Sequence, residues 1–284
     1  LRRKAAVEER FREILTNKAE LVSSFPAWML SRETLERIRA AAKPAIIEIS
    51  GRDSIAAALR AAANGYDIFL PTIAYAGTEF GDWRTAFEKV NFLATRLAAS
   101  GGAEVLPAVV LGAPTLWRIL CGRYLLASYR RFGFYTPCVG CHLYLHAIRV
   151  PLAKQTGCDV VVGGERESHD GRVKLNQIKR ALDAYVDFLS RFGVVLALPL
   201  RHVASGAEVQ ELVGRDWRDV EEHVECVLSR NYLEPGGGVS YDEEAIGRFL
   251  EEFAIPLLER AVNAYLSGRR PDYEKLADDL WPKS

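Results

Sequence analysis

From Pro44 onward, short apolar runs alternate with longer stretches of helical periodicity, and nothing else in the chain limits its fold as strongly. Strands are read at Ala45–Ile49, Tyr66–Ala74, Ala103–Leu111, Asp159–Val162 and Val194–Leu200. Helices are read after the first strand through Ala63, then at Asp82–Ala99, Thr115–Ala127, Cys141–Thr156 and Lys174–Arg191. Strands separated by helices of this length cannot pair as hairpins. They imply βαβ units and a parallel sheet with helices on both faces.

The flanks read differently. Residues 1–43 form a helical extension, in which Val7, Phe11, Ile14 and Leu15 interleave with charged residues. A break at Ser23–Pro26 precedes a second helix that Ser31 is placed to cap. Residues 44–204 form the α/β domain. Residues 205–284 carry only helical signals, including Tyr241–Leu266 and a short tail at Asp272–Leu280.

Charge and cysteine usage exclude some classes of function. Lys plus Arg and Asp plus Glu both number 37, so no global field draws the chain to a polyanion or a membrane surface. Val105–Leu111 and Val194–Leu198 are too short to cross a bilayer. The basic start Leu1-Arg2-Arg3-Lys4 is not followed by an apolar signal core, and the expected location is cytoplasmic. The cysteines are odd in number (Cys121, Cys138, Cys141, Cys158 and Cys226), which argues against a disulfide framework.

The stretch Ile49-Ser50-Gly51-Arg52-Asp53-Ser54 runs from the first strand through a tight polar turn into a helix. Such a turn points backbone N–H groups and a helix N-terminus at one spot, which suits phosphate. Ser50 and Ser54 add hydroxyls, Gly51 lets the backbone approach closely, and Arg52 is placed to pair with phosphate. Asp53 is suited to hold Mg²⁺ or to cap the helix. The competing reading of the same residues is a plain βα turn. Glu48, inside an apolar strand, either faces the site or pairs with an arginine at the strand end.

These residues resemble the SGGxDS signature of the PP-loop ATP pyrophosphatases, although Ser50–Ser54 is one residue shorter and has a single glycine. The resemblance implies an ATP-binding loop at Ser50, Gly51, Arg52, Asp53 and Ser54, with Asp53 catalytic. It also implies cleavage of ATP between its α- and β-phosphates as an acceptor is adenylated.

Pro137-Cys138-Val139-Gly140-Cys141-His142 precedes a helix, and Cys158-Asp159-Val160-Val161-Val162-Gly163-Gly164 follows it. Two cysteines separated by two residues can hold a metal or cluster or form a redox pair, and a cluster needs a further ligand from elsewhere. Here the chain resembles the iron–sulfur tRNA thiolases of the TtcA/TtuA group. The likeness extends through Gly157, Asp159 and Gly164 to Pro199-Leu200-Arg201, Glu208-Val209 and Glu225-Cys226, roughly residues 44–230. It implies a 4Fe-4S cluster on Cys138, Cys141 and Cys226, with one iron left open, and Gly164 beside the nucleotide. Zinc, held by the same cysteines with His142 or His146, and a redox dithiol are the alternatives.

The chain departs from that group in three places. It lacks zinc ribbons, has Gly164-Glu165-Arg166-Glu167-Ser168-His169-Asp170 in place of a GHNxDD-like stretch, and has His146 where an arginine is expected. Asp170 is a candidate to support Mg²⁺, and Arg166 and Lys174 to bind phosphate; a solvated loop is the competing reading. His142 and His146 share one helix face. Tyr124, Tyr129, Arg130, Arg131, Phe132, Phe134 and Tyr135 mix aromatic and basic groups, as a base-stacking surface or as ordinary core. Cys121 and Cys158 read as buried apolar cysteines.

The expected function is ATP-dependent sulfur transfer to a nucleotide, tRNA or another small base-like acceptor, with a separate sulfur donor and no membrane partner; a homodimer is compatible with the sequence. The alternatives are a zinc-containing PP-loop ligase or amidating enzyme, a sulfonucleotide-reductase-like enzyme, and a nucleotide-binding redox sensor without turnover.

Overall fold

Ser31 caps the first described helix, α1 (Arg32–Ala40), its Oγ accepting from the Thr34 backbone N–H at 3.1 Å. The computed structural model describes residues 30–214, 217 and 224–281. The expected helix around residues 4–22, the break at Ser23–Pro26 and the basic start lie outside the described residues.

After α1 the order is β1 (Pro44–Glu48), α2 (Arg52–Ala63), β2 (Ile68–Tyr75), β3 (Glu79–Phe80), α3 (Arg84–Ala99), β4 (Glu104–Val105) and β5 (Val109–Gly112). There follow α4 (Pro114–Trp117), which runs into a π-turn at Arg118–Arg123, α5 (Leu125–Phe132), α6 (Pro137–Ala147), α7 (Val150–Thr156) and β6 (Val160–Val162). The remainder is α8 (Lys179–Ser190), β7 (Val195–Ala197), α9 (Gly206–Val213), β8 (Glu225–Cys226), α10 (Glu243–Phe249), α11 (Ile255–Leu266) and α12 (Tyr273–Asp278), with a second π stretch at Leu250–Ala254 between α10 and α11.

The main sheet runs β4-β2-β1-β6-β7, with β5 also pairing β2, and every pairing is parallel. This is the α/β fold expected, a parallel sheet covered by helices. β1 is central and buried, Ala45, Ile46 and Ile47 being at most 1% exposed, so its near-continuous apolar run is what a strand covered on both faces requires. The strand order grows to one side of β1 through β2 and to the other through β6. The carboxyl ends of β1 and β6 therefore flank the switch point where ligands collect in open α/β sheets.

Three elements differ from the reading of the sequence. The expected strand Ala103–Leu111 is two strands, because Pro107 cannot donate to the ladder and interrupts it. The expected helix Cys141–Thr156 is α6 and α7, divided just before Pro151, and α6 begins earlier, with Pro137 in its first turn. A two-stranded antiparallel ribbon, β3 with β8, pairs Glu79 with Cys226 in a region expected to be helical.

Candidate functional site

The loop after β1 is shaped by its own hydroxyls. Ser54 Oγ donates to the Gly51 carbonyl at 2.7 Å and accepts from the Ser50 backbone N–H at 3.0 Å. Gly51 is the N-cap of α2, and no side chain caps this helix, so Asp53 does not act as the cap. Asp53 instead accepts from Arg166 Nε at 2.8 Å, with Arg52 Nε at 3.4 Å on its other oxygen.

Arg166 belongs to the loop after β6, the second strand of the switch point. Gly164 on that loop packs directly on the turn: a Cβ there would lie 2.6 Å from Ser54 N and 2.7 Å from Asp53 C. Only glycine permits this approach. Asp170 follows in a left-handed conformation (φ 54°), and its carboxylate accepts from the Gly206 backbone N–H at 2.8 Å. That bond holds Asp170 below the usual carboxylate range, with Arg166 and Arg172 adding to the effect. His169 is 2% exposed, and burial, with Lys174 and Arg166 nearby, lowers it to about 4, so its imidazole is neutral. Burial also lowers Lys174.

The cysteines come from two directions. Cys138 and Cys141 stand at the start of α6, which Tyr144 and Tyr185 fasten in place. Tyr144 Oη donates to the Tyr75 carbonyl at 2.8 Å and accepts from Ala113 N at 2.6 Å, while Tyr185 Oη donates to the Val139 carbonyl at 3.0 Å. Cys226 arrives on β8. The Glu79 carboxylate accepts from the backbone N–H groups of Ala76, Gly77 and Thr78 at 2.7, 2.8 and 3.0 Å, which sets the turn ahead of the ribbon. Thr78 Oγ1 then lies 3.4 Å from Cys226 Sγ.

Burial pushes Cys138 up to about 12, with Cys226 adding to the rise. Burial raises Cys141 as well, with Glu79, Cys226 and Cys138 contributing. Burial and the nearby Cys226 sulfur thus both disfavour a thiolate at Cys138 and at Cys141. Among the described residues, the three sulfurs do not form a set within 4.8 Å of one another. Thiolates at about 2.3 Å from one zinc ion would. Cys121 and Cys158 are buried, as expected of apolar cysteines.

One cavity of about 950 Å³ joins these parts: Ser50–Ser54, Gly164, Arg166 and Lys174 line it together with Cys138, Cys141 and Cys226. Reading of the sequence missed several lining residues. Lys89, 1% exposed on α3, carried only the signal of a charge among helical apolar positions. Thr78, Glu79, Trp83, Trp117 and Arg230 carried none, since their role depends on how the chain returns through the β3–β8 ribbon.

Behind the loops lies a buried ionic group. Glu48 pairs with Arg149 (Nη1–Oε1, 3.0 Å) and with His146 (Nδ1–Oε1, 2.8 Å), and Glu165 lies 3.2 Å from His146 Nε2 and 3.4 Å from His142 Nδ1. Both readings of Glu48 therefore hold, since it is paired with an arginine and also lines the cavity. Burial opposes charge on His146, yet Glu48 and Glu165 together hold it up at about 10. Burial alone would raise Glu165, but His146 and His142 hold it well below the usual range. The aromatic and basic stretch ahead of Cys138 is mostly core. Tyr124 stacks on Trp281 with ring centroids 4.6 Å apart, Phe132 packs edge-on to Phe249, and Arg131 pairs with Glu252 at 2.6 Å.

Fold and site define a doubly wound α/β protein with a phosphate-type loop closing its first strand, the architecture that the PP-loop resemblance implies. The chain is 36% identical over 251 residues to uncharacterized protein MJ0009 of Methanocaldococcus jannaschii, an alignment covering 87% of this chain and 91% of that protein. It belongs to the same family as that protein. No family model matches the chain. Similar solved structures include a 4-thiouridine synthetase in complex with RNA and bound ATP (17% identity, 80% of this chain and 54% of that one, TM-score 0.49). Others are the U34-tRNA thiolase NcsA of Methanococcus maripaludis with its [4Fe-4S] cluster (14%, 91% and 78%, 0.37) and the NMN synthetase of Francisella tularensis (16%, 90% and 92%, 0.33). This chain spans about half the length of the 4-thiouridine synthetase. Among the described residues, no helix is long and apolar enough to cross a membrane.

Proposed function

We propose that the protein is an ATP-dependent, adenylating sulfur transferase of PP-loop type. The observation that carries this reading is that the phosphate-type loop and the three cysteines line one cavity. A nucleotide on the loop would meet the backbone of Ser50–Ser54 and the N-terminus of α2. Asp53, tied to Arg166, has a carboxylate at the mouth of that turn for Mg²⁺, with Asp170 supporting it from the neighbouring loop. Burial beside Lys174 and Arg166 keeps the His169 imidazole neutral.

ATP would transfer AMP to an acceptor oxygen with release of pyrophosphate, and sulfide would then displace AMP. A 4Fe-4S cluster on Cys138, Cys141 and Cys226 would supply an open iron able to carry sulfur. All three cysteines are half-buried and line the cavity, where a bound cluster would meet an acceptor. The acceptor is a nucleotide, tRNA or another base-like molecule. Arg172, Lys174 and Arg230 line the cavity with no acidic ion-pair partner among the described residues, which favours an acceptor that brings its own negative charge.

The test is anaerobic purification with iron, sulfide and zinc analysis, followed by ATP–pyrophosphate exchange and mass spectrometry of nucleosides after incubation with tRNA, ATP and sulfide. Iron near four per chain and a new thionucleoside are expected. Stoichiometric zinc without iron would move the reading to a zinc-containing ligase, and ATP binding without turnover would move it to a sensor.

A further inference from the structure

The buried group behind the loops has a geometry that hydrogen bonding does not account for. Glu48, His146 and Glu165 offer one ligand atom each, all within 4.8 Å of one another. His146 is fully buried and the two carboxylates nearly so. His146 Nδ1 lies 2.8 Å from Glu48 Oε1 and Nε2 lies 3.2 Å from Glu165 Oε1, yet neither buried nitrogen has a partner in hydrogen-bond geometry. Glu165 Oε2 is buried with no partner at all.

An imidazole ligates an ion through one nitrogen, and with one atom taken from each side chain the three lie within 4.8 Å of one another, as ligands of one ion would. Ligand atoms at about 2.0–2.2 Å from a metal stand about 3 Å apart and off each other's bonding axes. A Cβ on Gly163 would lie 2.5 Å from Glu165 Oε2 and 3.2 Å from Glu48 Oε2, so both second oxygens converge on the one residue there that has no side chain. Arg149 anchors Glu48 from behind through Nη1 and is itself held by Thr72 Oγ1, which accepts from Arg149 Nε at 2.8 Å. This is the outer support that ligating carboxylates commonly have.

The geometry points to a divalent-cation site formed by Glu48, His146 and Glu165 at the switch point between β1 and β6. The two carboxylates and one imidazole suit a first-row ion such as Mn²⁺ or Fe²⁺ and differ in kind from the thiol set of Cys138, Cys141 and Cys226. Glu48 and Glu165 line the cavity, so an open position on the ion would face whatever binds there. This site stands whether or not the nucleotide and cluster readings hold.

Mn²⁺ is the probe, because thiolates compete poorly for it. The purified full chain, treated with chelator and titrated with Mn²⁺ alone, should bind one ion. Pulsed EPR of that ion should show ¹⁴N coupling from one imidazole. Glu165→Gln should weaken binding at least tenfold, and His146→Gln should remove the nitrogen coupling that His142, left in place, cannot restore. Circular dichroism of each variant checks the fold. If a variant does not fold, the coupling in the unmodified protein decides by itself. Failure of the folded, unmodified protein to bind Mn²⁺, or binding without nitrogen coupling, overturns the site and leaves an imidazolium shared between two carboxylates.

Discussion

Arg166 Nε donates to Asp53 Oδ2 at 2.8 Å, so the loops that follow β1 and β6 are joined by an ion pair whose arginine side chain is 3% exposed. This bond crosses the switch point of the sheet and fixes where the Asp53 carboxylate stands. Asp53→Ala should reduce release of pyrophosphate from ATP at least about a hundredfold, the usual scale for loss of a charge-organising group. The protein should stay folded. Full turnover by a folded Asp53→Ala protein would show that this loop is not the nucleotide site.

The glycines of the two loops should separate stability from binding. Gly164→Ala places a Cβ within 2.7 Å of backbone at Asp53 and Ser54, and overpacking of that kind costs about 1–3 kcal/mol. A Cβ on Gly51 would meet nothing within 4 Å, so Gly51→Ala should leave unfolding midpoints nearly unchanged while weakening ATP binding. Equal losses of stability in the two variants would contradict the packing described.

The cysteines should divide into two groups. Removing any one of Cys138, Cys141 or Cys226 should cost most of the iron retained after anaerobic purification. Cys121→Ala and Cys158→Ala should retain it, since both of these side chains are buried among apolar residues and neither lines the cavity. Loss of iron in Cys121→Ala with Cys226→Ala unaffected would reassign the third ligand.

Asp67 ties the chain ahead of β1 to the start of β2, its carboxylate accepting from the N–H groups of Ala42 at 2.9 Å and Lys43 at 3.0 Å. Burial acts to raise Asp67, but these backbone donors win and hold it below its ordinary value of 3.8. A carboxylate lowered by folding contributes stability above its unfolded value and loses it as pH falls through the lower folded one. Asp67→Asn should therefore lower the urea midpoint at pH 7, and the gap to the unmodified protein should close below about pH 3.8. A gap that persists unchanged at pH 3 would locate the effect in packing rather than charge.

Salt will report on the acceptor. Arg131 is paired with Glu252, and Arg130, Arg269 and Arg270 are further basic residues that a polyanion could contact. Binding to bulk tRNA should weaken steeply between low and physiological salt if many phosphates are contacted. Weak binding with a shallow slope would favour a small nucleotide seated against Arg172, Lys174 and Arg230.

The strand–helix alternation from Pro44 and the polar turn at Ser50–Ser54 were legible because each depends on residues close in sequence. Apolar periodicity sets the elements, and a short turn sets the phosphate-type loop. The same is true of the two cysteines at Cys138 and Cys141, which a single helix turn holds together. Tertiary structure alone decided that Asp53 pairs with Arg166 instead of capping its helix, and that a two-residue ribbon sets Cys226 opposite Glu79. It also decided that Glu48, His146 and Glu165 meet over Gly163. Those contacts join positions far apart in the chain, from His146 with Glu165 to Glu79 with Cys226. At such separations no local pattern selects a partner, and only closure of the sheet and packing of α6 against it brings the groups together.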